Sequence, residues 1–534
     1  MNRRHFLLGS LCLAALGGAT TFATMKPPPI PGNIVGANAT LGHRLRQGNF
    51  PPVTKRHQTQ VVIVGGGIAG LSAAWALQRA GFKDYILLEL EEAVGGNAAC
   101  GSNAVSAYPW GAHYVPLLTT EAKAAQALFE ELGVITGWQN GLPVYNEYFL
   151  CADPQERLYL SGRWQEGLVP QLGTTAKDRG QYEAFFAAME QFRRRRSADG
   201  KRAFAIPLAY CAHDADLLAL DTISMADYLT QQGWDSPALR WYVDYCCRDD
   251  YGAPAEAISA WAGIHYFAAR DGHAANSEAQ AVVTWPEGNG WLARQMRARL
   301  TGTVLTQRLA YGLDSNANSA TVRCLVAPQE TSEDITAAAV IMAVPHFVAS
   351  RLQPTLAAPA VPHQYSPWMV ANLTLDMLPQ GRGHRLAWDN VIYRSPLLGY
   401  VVATHQHLNR VQKQTVLTYY WPLDHLPPTE ARREALARPY AVWQSLILKE
   451  LLRVHPELIG HIKQIDVWLW GHGMIRPVPN YIWNPARQNA ETPPVFHAHS
   501  DISGLSIFEE AQYQGVRAAE AVLNHLKHPF QSLL

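Results

Sequence analysis

The stretch Val61-Val-Ile-Val-Gly65-Gly-Gly67-Ile-Ala-Gly70 decides the fold of this chain of 534 residues. Its four β-branched residues predict a short strand that is buried on both faces. The glycines at positions 65, 67 and 70 allow a tight turn, a close approach of the backbone to a diphosphate, and close packing of a helix on the strand. The helix opens with Ile68 and Ala69, whose free N–H groups face the phosphates. The stretch therefore predicts a Rossmann-like dinucleotide site.

A second strand and an acid complete the same unit. The helical pattern ends near Gly81, and the run Tyr85-Ile-Leu-Leu predicts a strand that leads directly to Glu89. This acid stands 19 residues after Gly70, where a carboxylate bonds a ribose hydroxyl and disfavours a phosphorylated ribose. Because strand, glycines, helix, strand and acid are all in register, the pattern is more specific than an isolated glycine motif.

A glycine pair in Gly95-Gly96-Asn97 follows the acidic strand end. With this pair the chain resembles the flavoprotein superfamily of flavin amine oxidases, phytoene desaturases and protoporphyrinogen oxidases. The resemblance implies FAD as the cofactor and an α/β fold, in which a Rossmann-like FAD-binding domain is built from discontinuous segments. Arginine usually follows the pair in that family. Asn97 stands in its place here, so the resemblance implies that one charged contact with FAD is missing.

Later blocks extend the resemblance. The six residues that begin at Trp110 resemble the segment beside the isoalloxazine ring of FAD, and they place Gly111, Ala112 and His113 at the flavin. The helix and strand around Leu309 resemble those whose backbone contacts the adenine, and Leu309 is the expected contact.

Two further blocks lie near the end of the chain. Residues 338–345 resemble the buried strand that ends in the family's A-x-P sequence. Residues 495–504 resemble the closing strand, and the resemblance assigns its acid, Asp501, to the pyrophosphate and ribityl region of FAD. Ile507 and Phe508 then begin the final helix beside the cofactor.

The order of these blocks predicts two interleaved domains, an FAD-binding domain and an α+β substrate domain. The material between the blocks is rich in aromatic residues, which we expect mainly to pack and in part to line a pocket. Within it, residues 249–252 predict a turn and cap before a buried helix that starts near Ile258. The predicted division is a signal peptide (1–23), a Pro-rich leader (24–58), FAD-binding segments (59–115, 290–350 and 470–534) and substrate-domain segments (116–289 and 351–469).

Composition limits the class of partner. The chain is 48% hydrophobic and 16% charged, with a formal net charge of zero and a pI near 7.3. These values exclude general disorder and argue against nucleic acid as a partner. The basic run Arg193–Arg196 ends a helical pattern, so we expect a solvated helix end, with a docking patch for an acidic partner as the alternative.

The N-terminus predicts where the protein works. Arg3 and Arg4, followed by Phe6 and an apolar stretch to about Leu16, resemble the twin-arginine export signal, whose pathway carries folded, cofactor-loaded proteins. Small residues around Ala23 offer a cleavage site. We expect a periplasmic mature protein and the twin-arginine export machinery as a partner. An uncleaved membrane anchor is the alternative reading of the same stretch.

Cysteine and histidine spacings predict neither a disulfide framework nor a metal centre. The seven cysteines are few for a chain of this length, and no CxxC motif is present. His405 and His407 share one face of a possible strand, as do His497 and His499, which is a spacing that can hold a metal. Because no third ligand follows either pair at a suitable spacing, we predict no metal site.

The predicted chemistry belongs to the flavin, which accepts a hydride from a small-molecule substrate and must then be reoxidised, with an electron-acceptor protein as one candidate partner. His113 and His472 are the candidates for proton transfer, because histidine titrates near neutrality. Each has the alternative reading of a structural histidine. The catalytic residue therefore stays unassigned at this point.

Three functional hypotheses remain open. The first is an exported FAD-dependent oxidoreductase that oxidises a C–N or C–C bond. The second is a flavin amine oxidase with an aromatic cage rebuilt from other residues, because Ile507 occupies the position of a cage aromatic. The third is a non-catalytic protein that binds FAD together with a ligand.

Replacing both Arg3 and Arg4 by lysine keeps the charge but removes the planar guanidinium groups. We expect the variant to stay in the cytoplasm, folded and yellow, while the parent is found outside the inner membrane. Cell fractionation with flavin absorbance measures both properties. Export of the double-lysine chain at the parent's efficiency would point to an ordinary secretory signal or an anchor.

Overall fold

The computed structural model describes residues 29–354, 362–408, 411–487 and 491–534. The predicted signal peptide and residues 24–28 lie outside these ranges. The strands of the described residues are β1 Val53–Val64, β2 Tyr85–Leu88, β3 Cys100–Ser102, β4 Ala107–Pro109, β5 Tyr114–Pro116, β6 Ile135–Gln139, β7 Leu142–Tyr145, β8 Glu156–Leu160, β9 Arg163–Glu166, β10 Val282–Thr284, β11 Thr303–Leu305, β12 Arg308–Ser315, β13 Ala320–Val326, β14 Thr331–Met342, β15 Tyr365–Leu375, β16 Asp389–Ile392, β17 Gly399–Val402, β18 Thr415–Pro422, β19 Ile462–Ile475 and β20 Val495–His497.

The helices of the same ranges are α1 Ala39–Gln47, α2 Ile68–Arg79, α3 Lys123–Glu131, α4 Ala176–Arg194, α5 Ala215–Ala219, α6 Met225–Gln231, α7 Pro237–Tyr251, α8 Ala260–Ala268, α9 Gly290–Arg299, α10 His346–Leu352, α11 Pro428–Ala437, α12 Tyr440–Val454 and α13 Phe508–His525. Short 3₁₀ turns join several of them. None of the described helices is long and apolar enough to cross a membrane.

The first large sheet contains the predicted strand–helix–strand unit. Its strand order is β11-β2-β1-β14-β13-β12, and β1 pairs in parallel with β2 on one side and with β14 on the other. The end of β1, residues 61–64, is buried on both faces, as its β-branched composition predicts. Helix α2 begins at Ile68, directly after the glycines. The predicted α/β fold with a Rossmann-like domain is therefore confirmed.

The later blocks return to this sheet at β14. Its first half pairs antiparallel with β13, and residues 340–342 pair in parallel with β20. The final helix, α13, then packs on α2 at Gly515, where a Cβ atom would lie 2.2 Å from the carbonyl oxygen of Ala69. Only a glycine permits this contact, so the two ends of the domain meet backbone to backbone.

The second large sheet carries the aromatic-rich segments in the strand order β19-β15-β18-β17-β16-β8-β9. All eight residues of β18 are buried because helices cover both faces of the sheet. Trp368 and Tyr420 point to the core that includes α4, α7 and α8, whereas Met369 and Tyr419 point to the core that includes α11 and α12. This sheet, with its two helical layers, is built mainly from the segments predicted to form a second, α+β domain.

The segment predicted as an irregular leader differs from that expectation. Helix α1 lies within it, capped by the Asn38 side chain, which accepts from the Leu41 N–H, and ended by Gly48 in the left-handed region. Strand β1 also begins at Val53, although its apolar run starts only at Val61. The polar first half of β1 still pairs with β14, and a hydrophobic pattern gives no sign of such pairing.

Two other expectations are refined. Residues 249–252 are not a turn throughout, because α7 continues to Tyr251 and only Gly252 adopts the left-handed conformation that ends it. The division at residue 470 falls inside β19, a continuous strand of the second sheet. Gly471 and Gly473 lie within this strand, and a Cβ atom at Gly473 would lie 2.9 Å from the Trp368 ring.

The basic run at the end of α4 is paired within the chain. Arg193 and Arg194 both form ion pairs with Glu190. Arg195 lies 2.6 Å from Asp216. This local compensation favours the solvated helix end over a docking patch. The six cysteines in the described ranges are free thiols.

Candidate cofactor and substrate cavities

A cavity of about 410 Å³ opens at the glycine-rich end of β1. It gathers residues from four separated parts of the chain. The sequence-predicted cofactor residues that line it are Gly65, Gly67, Ile68, Ala69, Glu89, Gly95, Gly96, Asn97, Ala112, Leu309, Asp501, Ile507 and Phe508.

The glycines of the cavity have different physical tasks. Gly65 has φ +105°, and a Cβ there would lie 2.4 Å from the Ala343 carbonyl oxygen. Gly70 lies behind the cavity wall, where a Cβ would be 1.9 Å from the Gly65 carbonyl oxygen. At Gly67 a Cβ would meet only Gly96 Cα, at 3.8 Å, and would otherwise extend into the cavity. Gly65 and Gly70 therefore serve the fold, while Gly67 keeps the cavity open.

Glu89 is positioned by the backbone around it. Its two carboxylate oxygens accept hydrogen bonds from the Gly66 N–H, at 2.8 Å, and from the Glu91 N–H, at 2.9 Å. Burial raises the pKa of Glu89 to about 7, although these hydrogen bonds act in the opposite direction. A ribose diol that donates to this carboxylate would stabilise its charged form, which is the chemistry expected at the end of β2.

Asp501 is held at the other end of the fold by three groups. It accepts from the His346 N–H at 2.9 Å and from the Tyr365 hydroxyl at 2.5 Å, and His499 Nδ1 lies 3.1 Å from its second oxygen. Burial alone would raise the pKa of Asp501, but His499 and the hydrogen bonds hold it well below the usual range. His499, unusual at this position in the resembled family, fits because its backbone is extended.

A second cavity, of about 160 Å³, adjoins the first. The two share lining residues at their junction, which include Asn97, Ala112, Gly473 and Ile507. Of the remaining predicted residues, Gly111 and His113 line this second cavity. The segment expected beside the flavin ring therefore lies where the cavities meet.

The second cavity contains charged groups that sequence reasoning missed. Asp250 and Arg270 form an ion pair, while Asp249 and Glu509 have no side-chain partner among the described residues. Burial raises the pKa of Asp249 to about 8 and that of Glu509 to about 7. Three acids thus face one guanidinium. Asp249 and Asp250 end an ordinary helix, and no sequence pattern marks them as site residues.

The two candidate histidines are placed in different cavities. His113 Nδ1 lies 3.1 Å from the Gly111 carbonyl oxygen, and burial lowers its pKa to about 4. His472, expected near the substrate, lines the first cavity instead and forms a hydrogen bond with Arg432. Burial and the charge of Arg432 lower its pKa to about 3. Both imidazoles are therefore neutral at pH 7, and only His113 reaches the second cavity.

The second cavity has aromatic side chains in its wall, although the cage position occupied by Ile507 does not supply one. Trp368, Tyr420 and Trp470 line it together with Tyr114. Trp470 is fixed by a 2.6 Å hydrogen bond from its indole N–H to the Trp110 carbonyl oxygen. The aromatic surface thus comes from the strands of the second sheet and not from the residue before the final helix.

Three of the four paired histidines, His405, His407 and His499, have protein partners of their own. His405 Nε2 lies 2.7 Å from the Ala152 carbonyl oxygen, and His407 Nε2 lies 3.2 Å from the Ser106 hydroxyl. His497 is buried on β20. Within the described ranges, no group of three His, Cys, Asp or Glu side chains is arranged to hold a metal ion.

The residues present fit a dinucleotide that carries a ring system. Glycine backbone surrounds one end of the first cavity, at the N-terminus of α2. Asn289 Oδ1 is buried without a hydrogen-bond partner and lies on the lining of both cavities, while its Nδ2 donates to the Tyr114 carbonyl oxygen at 3.0 Å. An unpartnered buried acceptor at this junction is suited to an N–H group of a bound ring.

The class that these observations define is one of fold, an α/β protein with a Rossmann-like domain and the fold of FAD-dependent oxidases. Residues 63–132 match the family model described as NAD(P)-binding Rossmann-like domain. Wild-type putrescine oxidase bound to putrescine superposes with a TM-score of 0.62 at 17% identity, over 88% of this chain and 100% of that one.

Two other solved structures share the fold. A putative protoporphyrinogen oxidase from Exiguobacterium sp. has a TM-score of 0.59 at 16% identity, over 89% of this chain and 100% of its own. A fatty acid isomerase from P. acnes that produces CLA has a TM-score of 0.59 at 14% identity, over 87% and 98%. Because these names cover different reactions, the similarity establishes the fold, and the reaction must be argued from the site.

Gly67→Val tests the first cavity. The added side chain has room in the protein and projects into the cavity, so we expect a folded but colourless variant. Gly70→Val should instead fail to fold, because its side chain meets the backbone. Circular dichroism and flavin absorbance of the purified chains measure the two outcomes. Yellow, fully loaded Gly67→Val protein would contradict the assignment.

Asp249→Asn tests the buried carboxyl group. Because the folded-state pKa of Asp249 is raised, the unfolded chain loses this proton at a lower pH than the folded chain does. The wild type is therefore most stable in acid with respect to this group, and it loses stability as the pH rises from about 4 to about 8. Asparagine does not titrate. Between pH 5 and pH 8.5 we expect the free energy of unfolding of the variant to increase by about 2–4 kcal/mol relative to that of the wild type. Thermal midpoints measured across this range, with the exposed Glu183→Gln as control, check it. If the difference in thermal midpoint between variant and wild type stayed constant across this pH range, Asp249 would have the pKa of an ordinary aspartate.

Proposed function

We propose that the chain is an exported FAD-dependent oxidoreductase that oxidises a C–N or C–C bond of a small molecule. One observation carries the proposal: a cavity suited to a dinucleotide adjoins a smaller, partly aromatic cavity, and both share the residues at their junction. A substrate in the second cavity would meet the ring end of a cofactor in the first. When bound, FAD would supply the hydride acceptor.

The chain's own residues would bind, orient and shield the reactants. Glu89 and the N-terminus of α2 would hold the ribose and phosphates, and Asn289 would accept a hydrogen bond from the ring. Trp368 and Tyr420 would exclude water from the substrate. His113 is neutral at pH 7, and its Nδ1 is hydrogen-bonded to the Gly111 carbonyl oxygen. Its other ring nitrogen, Nε2, would exchange a proton with the substrate.

An amine is the substrate class that the charges favour. Asp249 is half-buried and has no hydrogen-bond or ion-pair partner among the described residues, and Glu509 and Asp250 place two more carboxyl groups beside a single arginine. An ammonium group would pair with Asp249 and lower its pKa, so binding would recover the energy that its burial costs. The aromatic wall adds cation–π attraction. This supports the second hypothesis, an amine oxidase whose aromatic surface is rebuilt from the strands.

Export and the electron acceptor remain part of the proposal. The twin-arginine signal supports a periplasmic enzyme that is loaded with FAD before transport. A flavin that is reduced there must pass its electrons to an acceptor. An electron-acceptor protein is one candidate. A non-catalytic FAD-binding protein is the alternative from another class, and it differs by leaving the flavin oxidised with every ligand.

Anaerobic titration of the yellow protein with primary amines, diamines and unsaturated lipophilic compounds tests the reaction. We expect amines to bleach the flavin absorbance. Asp249→Asn should lower the kcat/KM for the bleaching amine by about 10–100-fold, because a buried charge-assisted contact is lost. Bleaching by uncharged compounds alone would favour C–C oxidation. A flavin that stays oxidised throughout would favour the non-catalytic alternative.

A further inference from the structure

Five basic side chains gather at one wall of the first cavity. His43, Arg46, Arg351 and His472 line the cavity, and Arg432 forms a hydrogen bond with His472. We call these five residues the basic cluster. None of them forms an ion pair with a carboxylate in the described ranges, whereas Arg193, Arg194 and Arg195 at the end of α4 each do.

Contacts tie the cluster to the predicted cofactor residues. The Asn97 side-chain amide donates to the Gly473 carbonyl oxygen at 2.5 Å, and His472 is the residue before it. The His472 ring stacks on Phe347 with a centroid distance of 4.0 Å. Arg351 lies one turn after Phe347 and donates to its carbonyl oxygen at 2.6 Å. The cluster is therefore next to the position where the resembled family has its arginine.

The N-terminal segment contributes the other two members of the basic cluster, His43 and Arg46. Residues 31–35 run beside β19, with a 2.8 Å hydrogen bond from Val35 N–H to the Val467 carbonyl oxygen. Helix α1 then crosses to the first sheet, where Leu41 packs with Leu309 and Leu325. We call residues 31–47 the N-terminal strap. It is attached to both sheets and presents His43 and Arg46 to the cavity.

The charged arginines of the cluster repel one another and disfavour protonation of its two histidines. Arg46 and Arg432 are close enough to lower the pKa of His43, and the same two arginines contribute to the low pKa of His472. Burial also lowers the pKa of Arg432. Like charges kept together without a counter-ion are unfavourable unless an anion joins them. A group with two negative charges close together would match the cluster best.

We propose that the basic cluster binds the diphosphate of the dinucleotide and supplies the positive charge that Asn97 lacks. The inference rests on the proposed FAD cofactor. It gives the N-terminal strap a function: the strap closes over the cavity and becomes part of the cofactor site. A second source of the same chemistry is a free phosphate ion or phosphate ester bound beside the cofactor.

The test compares FAD affinity among variants of the full chain. FAD is removed, and the apoprotein is titrated with FAD at low and high salt while flavin fluorescence is followed. Arg46→Gln combined with Arg351→Gln should weaken FAD binding by about 10–100-fold and reduce its salt dependence. Arg44→Gln is the matched control, because Arg44 lies on the same helix but pairs with Glu330. Its FAD affinity should equal that of wild type.

A second measurement separates the two sources of phosphate. Wild-type protein loaded with FAD is heated with and without inorganic phosphate, and the double variant is treated in the same way. We expect no phosphate-dependent rise in the melting temperature, because the cofactor already occupies the cluster. Unchanged FAD affinity in the double variant would overturn the proposal. If phosphate also stabilised only the wild type, the cluster would be a separate anion site.

The readouts distinguish this proposal from the proposed function. Circular dichroism and the apoprotein's melting temperature show whether the double variant folds like wild type. Gly36→Ala offers an independent variant, because its Cβ would lie 1.7 Å from the Trp468 ring and would displace the strap. We expect it to release FAD faster. Wild-type protein that binds no FAD would refute the cofactor itself, whereas yellow variants with wild-type affinity and release rate would refute only the role of the cluster.

Discussion

Close backbone packing around α2 is the constraint on which the rest of the structure depends. The N-terminus of this helix contacts the end of β1 at Gly70, and the final helix contacts it at Gly515. A side chain at either glycine would meet a carbonyl oxygen. Because these approaches hold α2 in place, its first N–H groups point into the first cavity. The closing segment, with Asp501, is brought to the same cavity from the far end of the chain.

Carboxyl and amide groups on the cavity linings give both cavities their chemical character. Glu89 and Asp249 are carboxyl groups whose pKa values burial raises, and each lies on a cavity lining. Asn289 leaves an acceptor unpaired between them. A fold that keeps such groups loses stability unless a ligand satisfies them. The same reasoning applies to the basic cluster, with the opposite sign of charge. Ligand-binding positions can thus be identified by the interactions that the protein leaves incomplete.

Part of the first cavity's lining could be predicted because its residues are close in sequence. Glycines 65, 67 and 70 and Glu89 belong to one strand–helix–strand unit, and their spacing fixes their relative positions. His472 shows where this reasoning fails. It was expected at the substrate, but its side chain lies on the first cavity, whereas Trp470 of the same strand lines the second. Local pattern does not decide which side of β19 faces which cavity.

The sequence by itself determined the dinucleotide unit, its acid and the α/β class, because each depends on hydrophobic periodicity and glycine spacing within about 30 residues. Only the tertiary structure decided the partly aromatic, acidic second cavity and the basic cluster. Asp249, Arg270 and Glu509 come from three helices or loops that no local pattern relates. The strap likewise reads as an irregular leader until its neighbours are known. Contacts between distant segments depend on how the sheets pack, and that packing is a property of the whole chain.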